Sequence, residues 1–134
     1  MAKESGLGMA LAIDDSGGSA RTISNDITNF DFAIPRGVQD ITGIDKSANE
    51  RLLLLADFSI TVNGVFNDGS NASHDVFKTV SSTSVARTTT ITVSGQTLAT
   101  ESFYTDYALS RAASGELTFT SNGVLQSGTV PTWA

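Results

Sequence analysis

The stretch "RLLLLADFSITVNGVFN", residues 51–67, predicts one long β-strand with two unlike faces, because successive strand side chains point to opposite sides. The apolar face holds Ala56, Phe58, Ile60 and Val62. The other face holds Asp57, Ser59, Thr61 and Asn63. The first set is typical of a hydrophobic core. The second set is small, polar and mildly acidic, and its environment is the central question about this chain.

The whole chain has the size and composition of one mainly β domain. Its 134 residues fit a single domain spanning residues 1–134. The excess of Thr, Ser, Val and Ile over Lys, Glu and Gln favours strands over helices. We therefore predict a β-sandwich or small β-barrel of seven or eight strands, with a short flanking α-helix and a long inter-strand loop.

Charge and cysteine content exclude several classes of protein. The net charge is −6 with a sequence pI near 4.4, which disfavours a groove that holds phosphate backbones tightly. The chain contains no cysteine, so a disulfide or a thiolate–metal site is not expected. We find no signal-peptide pattern and no apolar run of membrane-spanning length, so no membrane partner is expected.

Turn residues divide the chain into further elements. "MALAID" (9–14) and "ITNFDFAIP" (27–35) predict strands, and "SHDVFKTV" (73–80) predicts a short helix with Ser73 as its cap and Asp75 in its first turn. "SANE" (47–50) is a capping-box pattern that predicts a single helical turn. The long segment "TLATESFYTDYALSRA" is expected to carry a bulge near Phe103. One shared core between two sheets is predicted for Phe30, Phe32, Phe58, Ile60, Val62, Ile91, Leu117 and Phe119.

Motifs for chemistry are weak, and we predict no catalytic residue, metal site or cofactor. His74 lies between Ser73 and Asp75, but sequence neighbours cannot converge on one reacting atom, so a structural role is favoured. The loops "DDSGGS" and "NDGSN" are interpreted as turns, since the spacing of a calcium loop fails. Tyr104, Tyr107 and Trp133 leave one alternative open, a carbohydrate-binding module in which these rings stack on sugars.

The order of four segments resembles the major tail tube proteins of long-tailed bacteriophages. They are "LAIDDSGGSARTISNDITNFDF" (11–32), "DITGIDKSANERLLLLADFSITVNGVFN" (40–67), "SHDVFKTV" (73–80) and "LTFTSNGVLQSGTVPTW" (117–133). The resemblance implies a structural virion protein that is made in the host cytoplasm and forms hexameric rings. These rings stack into a hollow tail tube, and DNA is ejected through it without specific binding. It also implies the tape-measure, tail terminator and tail tip proteins as partners. Related contractile injection systems share the fold, so a tube subunit of such a machine is a further alternative.

Two surfaces are candidates for this function. The loop "VQDITGIDKSANER", residues 38–51, is long for a connection between strands and is predicted to reach a neighbouring subunit or ring. Its contact candidates are Gly43, Ile44, Asp45, Lys46, Glu50 and Arg51. The polar face of the opening stretch is predicted to line the bore, through Asp57, Ser59, Thr61 and Asn63.

Overall fold

The computed structural model describes residues 3–134, which form ten β-strands, one α-helix and one turn of 3-10 helix. The fold is mainly β with a flanking helix, as predicted. The helix α1 spans Ser73–Phe77, and the 3-10 turn spans Ser24–Asp26. The strands are β1 Ala10–Asp14, β2 Ala20–Thr22, β3 Ile27–Ala33, β4 Arg36–Asp40, β5 Arg51–Ala56, β6 Ser59–Val65, β7 Arg87–Val93, β8 Gln96–Tyr104, β9 Ala108–Arg111 and β10 Leu117–Leu125.

Eight of these strands form one antiparallel sheet, and β4 and β5 form a separate two-stranded hairpin. The sheet order is β2-β1-β7-β8-β10-β6-β3, with β9 pairing the first half of β10 beside the end of β8. The sheet does not close into a barrel: β2 and β3 are the edges of its main path, and β9, which pairs only with β10 among the described strands, has a third free edge. Among residues 3–134, no helix is both long and apolar enough to cross a membrane.

The stretch of residues 51–67 forms two strands rather than one. β5 ends at Ala56, and β6 begins at Ser59 in a different sheet. The Asp57 N–H donates to the Pro35 carbonyl at 2.9 Å, and the Phe58 N–H donates to the Asp57 carboxylate at 2.8 Å. These two bonds end the hairpin and turn the Phe58 side chain into the core. The prediction of one continuous strand was wrong because the break depends on the distant carbonyl of Pro35.

The core is one cluster to which strands from both ends of the sheet contribute, so the sheet is curled around it. Of the eight predicted core residues, five are fully buried and Phe30 and Phe32 are partly buried against them. Leu117 is 37% exposed, so its prediction as a core residue was wrong. It lies at the start of β10, where the β9–β10 hairpin extends past the core. The second side of the core is closed by α1 rather than by a second sheet.

Two buried polar side chains of the sheet region hold the ends of α1. The Asp26 carboxylate accepts the N–H of Ser73 at 3.0 Å and the side-chain amide of Asn67 at 2.9 Å. At the other end, the buried Arg87 guanidinium donates to the carbonyls of Val76 and Asp14. Burial lowers the pKa of Arg87, but the guanidinium stays charged at any ordinary pH. Ser73 is the first helical residue and does not cap the helix, so that prediction was wrong.

Two strand glycines lie directly opposite aromatic residues. Gly64 of β6 pairs with Phe119, and Gly123 of β10 pairs with Tyr104. The rings of Phe119 and Tyr104 cover these glycines and both contact the ring of Phe77, at centroid distances of 5.3 and 5.7 Å. The helix therefore packs on two aromatic rings. Each ring lies over a strand position that must be glycine, because a side chain there would occupy the space of the ring.

Two local predictions fail in the loops. Residues 41–50 contain no helical turn, because the Glu50 N–H donates to the Thr42 hydroxyl at 2.8 Å rather than starting a capped helix. The expected bulge near Phe103 is a full interruption at residues 105–107 that separates β8 from β9. Both strands still pair with β10, so the chain leaves that strand and returns to it.

Candidate assembly surfaces

The polar residues of β6 lie within a larger polar face that continues over both neighbouring strands. Thr61 is opposite Asp31 of β3 and Asn122 of β10, while Asn63 is opposite Asn29 and Thr120. We call this surface the polar face. It comprises Asn29, Asp31, Ala33, Ser59, Thr61, Asn63, Val65, Thr118, Thr120, Asn122 and Val124. None of these strand residues is Lys or Arg.

The polar groups at the centre of this face are hydrogen-bonded to one another. The Thr61 hydroxyl donates to the Asn122 amide oxygen at 2.8 Å, and the Thr120 hydroxyl donates to the Asn63 amide oxygen at 2.7 Å. Asn122 is held in turn by Asp106, whose carboxylate accepts its main-chain N–H at 2.7 Å. These directly opposite pairs stabilise the β6–β10 ladder.

Three of the four predicted bore residues lie on the polar face, and the fourth lies at its border. Ser59, Thr61 and Asn63 are alternate residues of β6 and belong to the polar face. Asp57 lies before the strand, at the border between the polar face and the β4–β5 hairpin, and it is exposed. The basic residues of the adjoining strands lie on the other side: Arg87 is opposite the buried Ser102, and Arg111 is opposite Leu117. The polar face is therefore neutral to acidic.

The second surface is the β4–β5 hairpin, residues 36–56, which pairs only with itself within the described chain. Nearly all of its residues are exposed, including four consecutive leucines, Leu52–Leu55. Leu55 is 92% exposed and Ile44, at the tip, is completely exposed at 108%. Contiguous apolar surface on a soluble protein indicates a contact site. The hairpin has the character of a buried element but is not buried by its own chain.

The predicted contact residues lie at the end of this hairpin. Gly43, Ile44, Asp45 and Lys46 form the tip, Arg51 begins β5, and Glu50 precedes it. Thr42 closes the base of the loop, since its hydroxyl donates to Asp40 and accepts the Glu50 N–H. The side-chain and main-chain bonds from Thr42 lower the pKa of the Asp40 carboxyl. The loop is therefore an ordered extension of the hairpin.

The residues considered for chemistry do not form a reactive site. His74 packs on Phe66 with ring centroids 4.7 Å apart, and its Nδ1 lies 3.1 Å from the Tyr107 hydroxyl. Tyr104 is buried with its hydroxyl 2.7 Å from that of Thr89, and Trp133 packs against Phe32. The three aromatic residues of the carbohydrate alternative thus lie in two separate clusters and share no platform. Within residues 3–134, no three His, Asp or Glu side chains are grouped to hold a metal ion.

Sequence reasoning missed the partners of β6. Asn122 and Thr120 complete the polar face, and Asp106 anchors it, yet none was predicted as a site residue. The alternation in "LTFTSNGV", residues 117–124, carried the signal, because Thr118, Thr120 and Asn122 follow the same period as the polar side of β6. Leu52–Leu55 were also missed as surface residues, because an apolar run is normally interpreted as core.

Comparison with known proteins identifies the fold. No protein-family model and no curated protein matches this sequence. A chain from the tail of an empty gene transfer agent particle, refined helically with C6 symmetry, superposes with a TM-score of 0.79 at 14% identity, over 98% of this chain and 99% of that one. A chain from the virion of the native gene transfer agent particle gives 0.77 at 13% identity, over 98% and 99%. A chain from the six-fold symmetrised baseplate of the anti-feeding prophage gives 0.65 at 10% identity, over 100% and 97%.

These likenesses establish a fold shared with chains of tail particles. The predicted resemblance to phage tail tube proteins is confirmed at this level. At identities of 10–14%, the comparisons concern the fold alone.

Proposed function

We propose that this chain is a structural subunit of a tail tube and does not act as an enzyme. Copies of the 1–134 domain close into rings, six to a ring, and the rings stack into a hollow tube. The observation that carries the proposal is the polar face, which has no basic residue and whose central polar groups are hydrogen-bonded to one another. The six-fold symmetry of the gene transfer agent tail and the anti-feeding prophage baseplate supports the ring number.

Strand geometry supports a bore of useful width. The polar face comprises β3, β6 and β10, and β9 extends it, so six copies would contribute about 24 strands. At a strand spacing of about 4.8 Å and a tilt of about 40°, such a cylinder has a backbone radius of roughly 24 Å. Inward-pointing side chains leave an open width of roughly 40 Å, which admits a DNA duplex. Closure through the free edges of β3 and β9 also removes exposed strand edges.

The chemistry of the polar face suits a wall past which DNA moves. Each Lys or Arg that neutralises a phosphate releases counterions and increases affinity, so a lining without basic residues does not retain the duplex. Asp31 and Asp57, repeated by symmetry, add rings of negative charge. Ser59, Thr61 and Asn63 provide a hydrated surface between them. We infer that DNA passes without specific binding.

The β4–β5 hairpin supplies the contact between subunits. Ile44 at its tip, together with Gly43, Asp45, Lys46, Glu50 and Arg51, reaches a neighbouring subunit or ring. The proposed location is the virion tail. The proposed partners are further copies of the chain, the tape-measure protein inside the tube, and terminator and tip proteins at its ends.

Electron microscopy of the purified protein tests the proposal. Six-fold rings or tubes are expected for the wild type. Deleting residues 41–47 is expected to leave a folded, soluble protein that no longer forms tubes, because the contacting tip is gone. A wild-type protein that stays monomeric and is retained on a glycan column would support the carbohydrate-binding alternative instead.

The position of the bore is tested with Asp57→Lys and Asp31→Lys. Both variants are expected to assemble and then to slow or block DNA release, because they place basic rings in the lining. Asp68→Lys, which changes an exposed acid in the turn before α1, is the matched control. Wild-type release from both lining variants would place the polar face outside the tube.

A second candidate is the same structural role in a contractile injection machine. The likeness to a chain of the anti-feeding prophage baseplate favours it. The two candidates differ in whether the assembled particle carries DNA. Nuclease-protected DNA recovered from intact particles would support the first candidate, and particles without DNA would support the second.

A further inference from the structure

The β4–β5 hairpin is apolar on both of its faces. Val38 is opposite Leu53, and Gln39 is opposite Leu52, so these two pairs lie on opposite faces of the ribbon. Leu54 lies beside Gly37 on the Leu52 side. Leu52 is 51% exposed and Leu53 is 61% exposed, so residues 3–134 leave both faces largely open. A ribbon that rested on one surface would alternate apolar and polar residues.

Continuous apolar strands are typical of elements that are buried on both sides. The exposed apolar residues of the hairpin are Val38, Ile41, Ile44 and Leu52–Leu55. Together they expose roughly 800 Å², which is the share that one partner contributes to a stable interface.

Charge indicates what covers the hairpin. Arg36, Lys46 and Arg51 balance Asp40, Asp45 and Glu50, so residues 36–56 carry no net charge. The chain as a whole carries −6, so the entire excess of negative charge lies outside the hairpin. Outside the hairpin, two copies of this chain carry negative charge and repel each other. The neutral hairpin approaches the acidic main sheet of another copy without this electrostatic repulsion. A second copy of this chain therefore fits as the covering partner.

We propose that the hairpin of each subunit is clamped between two other copies of the chain, with Val38 and Leu53 on one copy and Leu52 and Leu54 on the other. This inference rests on the proposed tube function and adds the number of neighbours that each hairpin joins. Two copies are needed because the body is a single curled sheet with a filled core. Such a domain has no cleft between layers into which a ribbon could insert, so one copy can cover only one face of the hairpin.

The absence of cysteine permits a direct test. Leu52→Cys and Leu53→Cys are a matched pair, since the positions are adjacent, similarly exposed and on opposite faces. Each is labelled with a thiol-reactive photocrosslinker, assembled, irradiated and mapped by mass spectrometry. We expect the two positions to capture different surface segments of the protein. When labelled subunits are diluted into an excess of unlabelled wild-type protein before assembly, the double variant is expected to give covalent trimers and each single variant only dimers, because one hairpin then links to two other copies.

Thiol reactivity gives an independent readout. At both positions the labelling rate is expected to fall at least about tenfold on assembly, equivalent to about 1.4 kcal/mol of protection. Ser70→Cys, in the exposed turn before α1, is a comparison site outside the hairpin. Two outcomes would overturn the clamp: capture of the same segment from both positions, or unchanged labelling at either one in assembled tubes. Neither outcome affects the tube proposal, which fails separately if the wild-type protein forms no polymer.

Paired substitutions test the energetic need for both faces. Val38→Ser with Leu53→Ser, and Leu52→Ser with Leu54→Ser, change one face at a time. Because all four side chains are exposed in the single chain, both variants are expected to melt like the wild type as monomers. Each is expected to lose assembly on its own. Normal tubes from either variant would show that one face has no partner.

Discussion

Replacing Gly64 with alanine tests how tightly α1 is seated on the sheet. A Cβ atom at this position would lie 2.4 Å from the main-chain oxygen of Asp26 and 2.8 Å from the Phe119 ring. Real Cβ contacts essentially never fall under 3.0 Å, so one of the neighbours must move. The ring cannot, because Phe77 and Tyr107 pack on it at 5.3 and 5.5 Å. The strain therefore falls on the backbone at Asp26, whose carboxylate holds the start of α1.

Overpacking a core typically costs about 1–3 kcal/mol. We expect Gly64→Ala to cost about 3 kcal/mol or more, since the nearest obstacle is main chain. For a domain of this size, that loss lowers the melting temperature by roughly 10–15 °C. Thermal unfolding of the unassembled protein, followed by circular dichroism, measures the shift.

Two glycine variants serve as controls for this measurement. Gly123→Ala meets only side-chain atoms, at 2.9 Å from Ile60 and 3.0 Å from Tyr104, so about 1–2 kcal/mol is expected. Gly37→Ala meets only Leu54, at an ordinary 3.5 Å, and is expected to stay within about 0.5 kcal/mol of the wild type. If Gly64→Ala proved no more destabilising than Gly123→Ala, the proposed role of the Asp26 backbone would be wrong.

Three further predictions concern the buried polar groups. Asp26→Asn is expected to lower the free energy of unfolding, measured with denaturant, by about 2 kcal/mol, because the new amide group turns an N–H donor toward the donor of Ser73 or Asn67. Asp68→Asn, on the surface, is the control and is expected to leave the free energy of unfolding unchanged. Burial raises the pKa of both Tyr104 and Tyr107, so the folded state favours the neutral phenols. Their contribution to the free energy of unfolding is fully present below the reference tyrosine pKa of about 10 and is lost as the pH rises above that value. Tyr104→Phe is expected to weaken that alkaline loss, and phenolate absorbance of the folded protein with a midpoint at or below the reference value would contradict the prediction. His74→Gln is expected to assemble normally, because His74 packs on Phe66 and Tyr107 and forms no reactive site, whereas a loss of assembly in the variant would show that the imidazole is needed.

Strict alternation was the most reliable signal in the sequence. It correctly placed β3, β6 and the side of β6 that carries Ser59, Thr61 and Asn63. The structure shows that these three residues share one face of the sheet, whereas their role in a bore remains a prediction. The strands beside them could not be predicted, because β6 pairs with a strand more than fifty residues later, and pairing at that range leaves no local mark.

The failures have identifiable physical causes. The run Leu52–Leu55 was interpreted as part of a core strand, but it belongs to a separate two-stranded ribbon and is exposed in the described chain. The Asn-Gly pairs at 63–64 and 122–123 show the same limit of local patterns. Such pairs are typical of hairpin turns, but both lie inside strands, where the rings of Phe119 and Tyr104 occupy the space above the glycines.

The pairing of β1 with β7 has a consequence for the timing of folding. Ala10 is opposite Thr92, so the first strand gains this neighbour only after more than eighty further residues have left the ribosome. Sheets closed by such distant contacts form slowly. The β4–β5 hairpin, in contrast, closes between residues at most twenty apart, since Arg36 is opposite Ala56. The exposed apolar hairpin is therefore complete before the main sheet, so it is available for association between nascent chains on one messenger RNA.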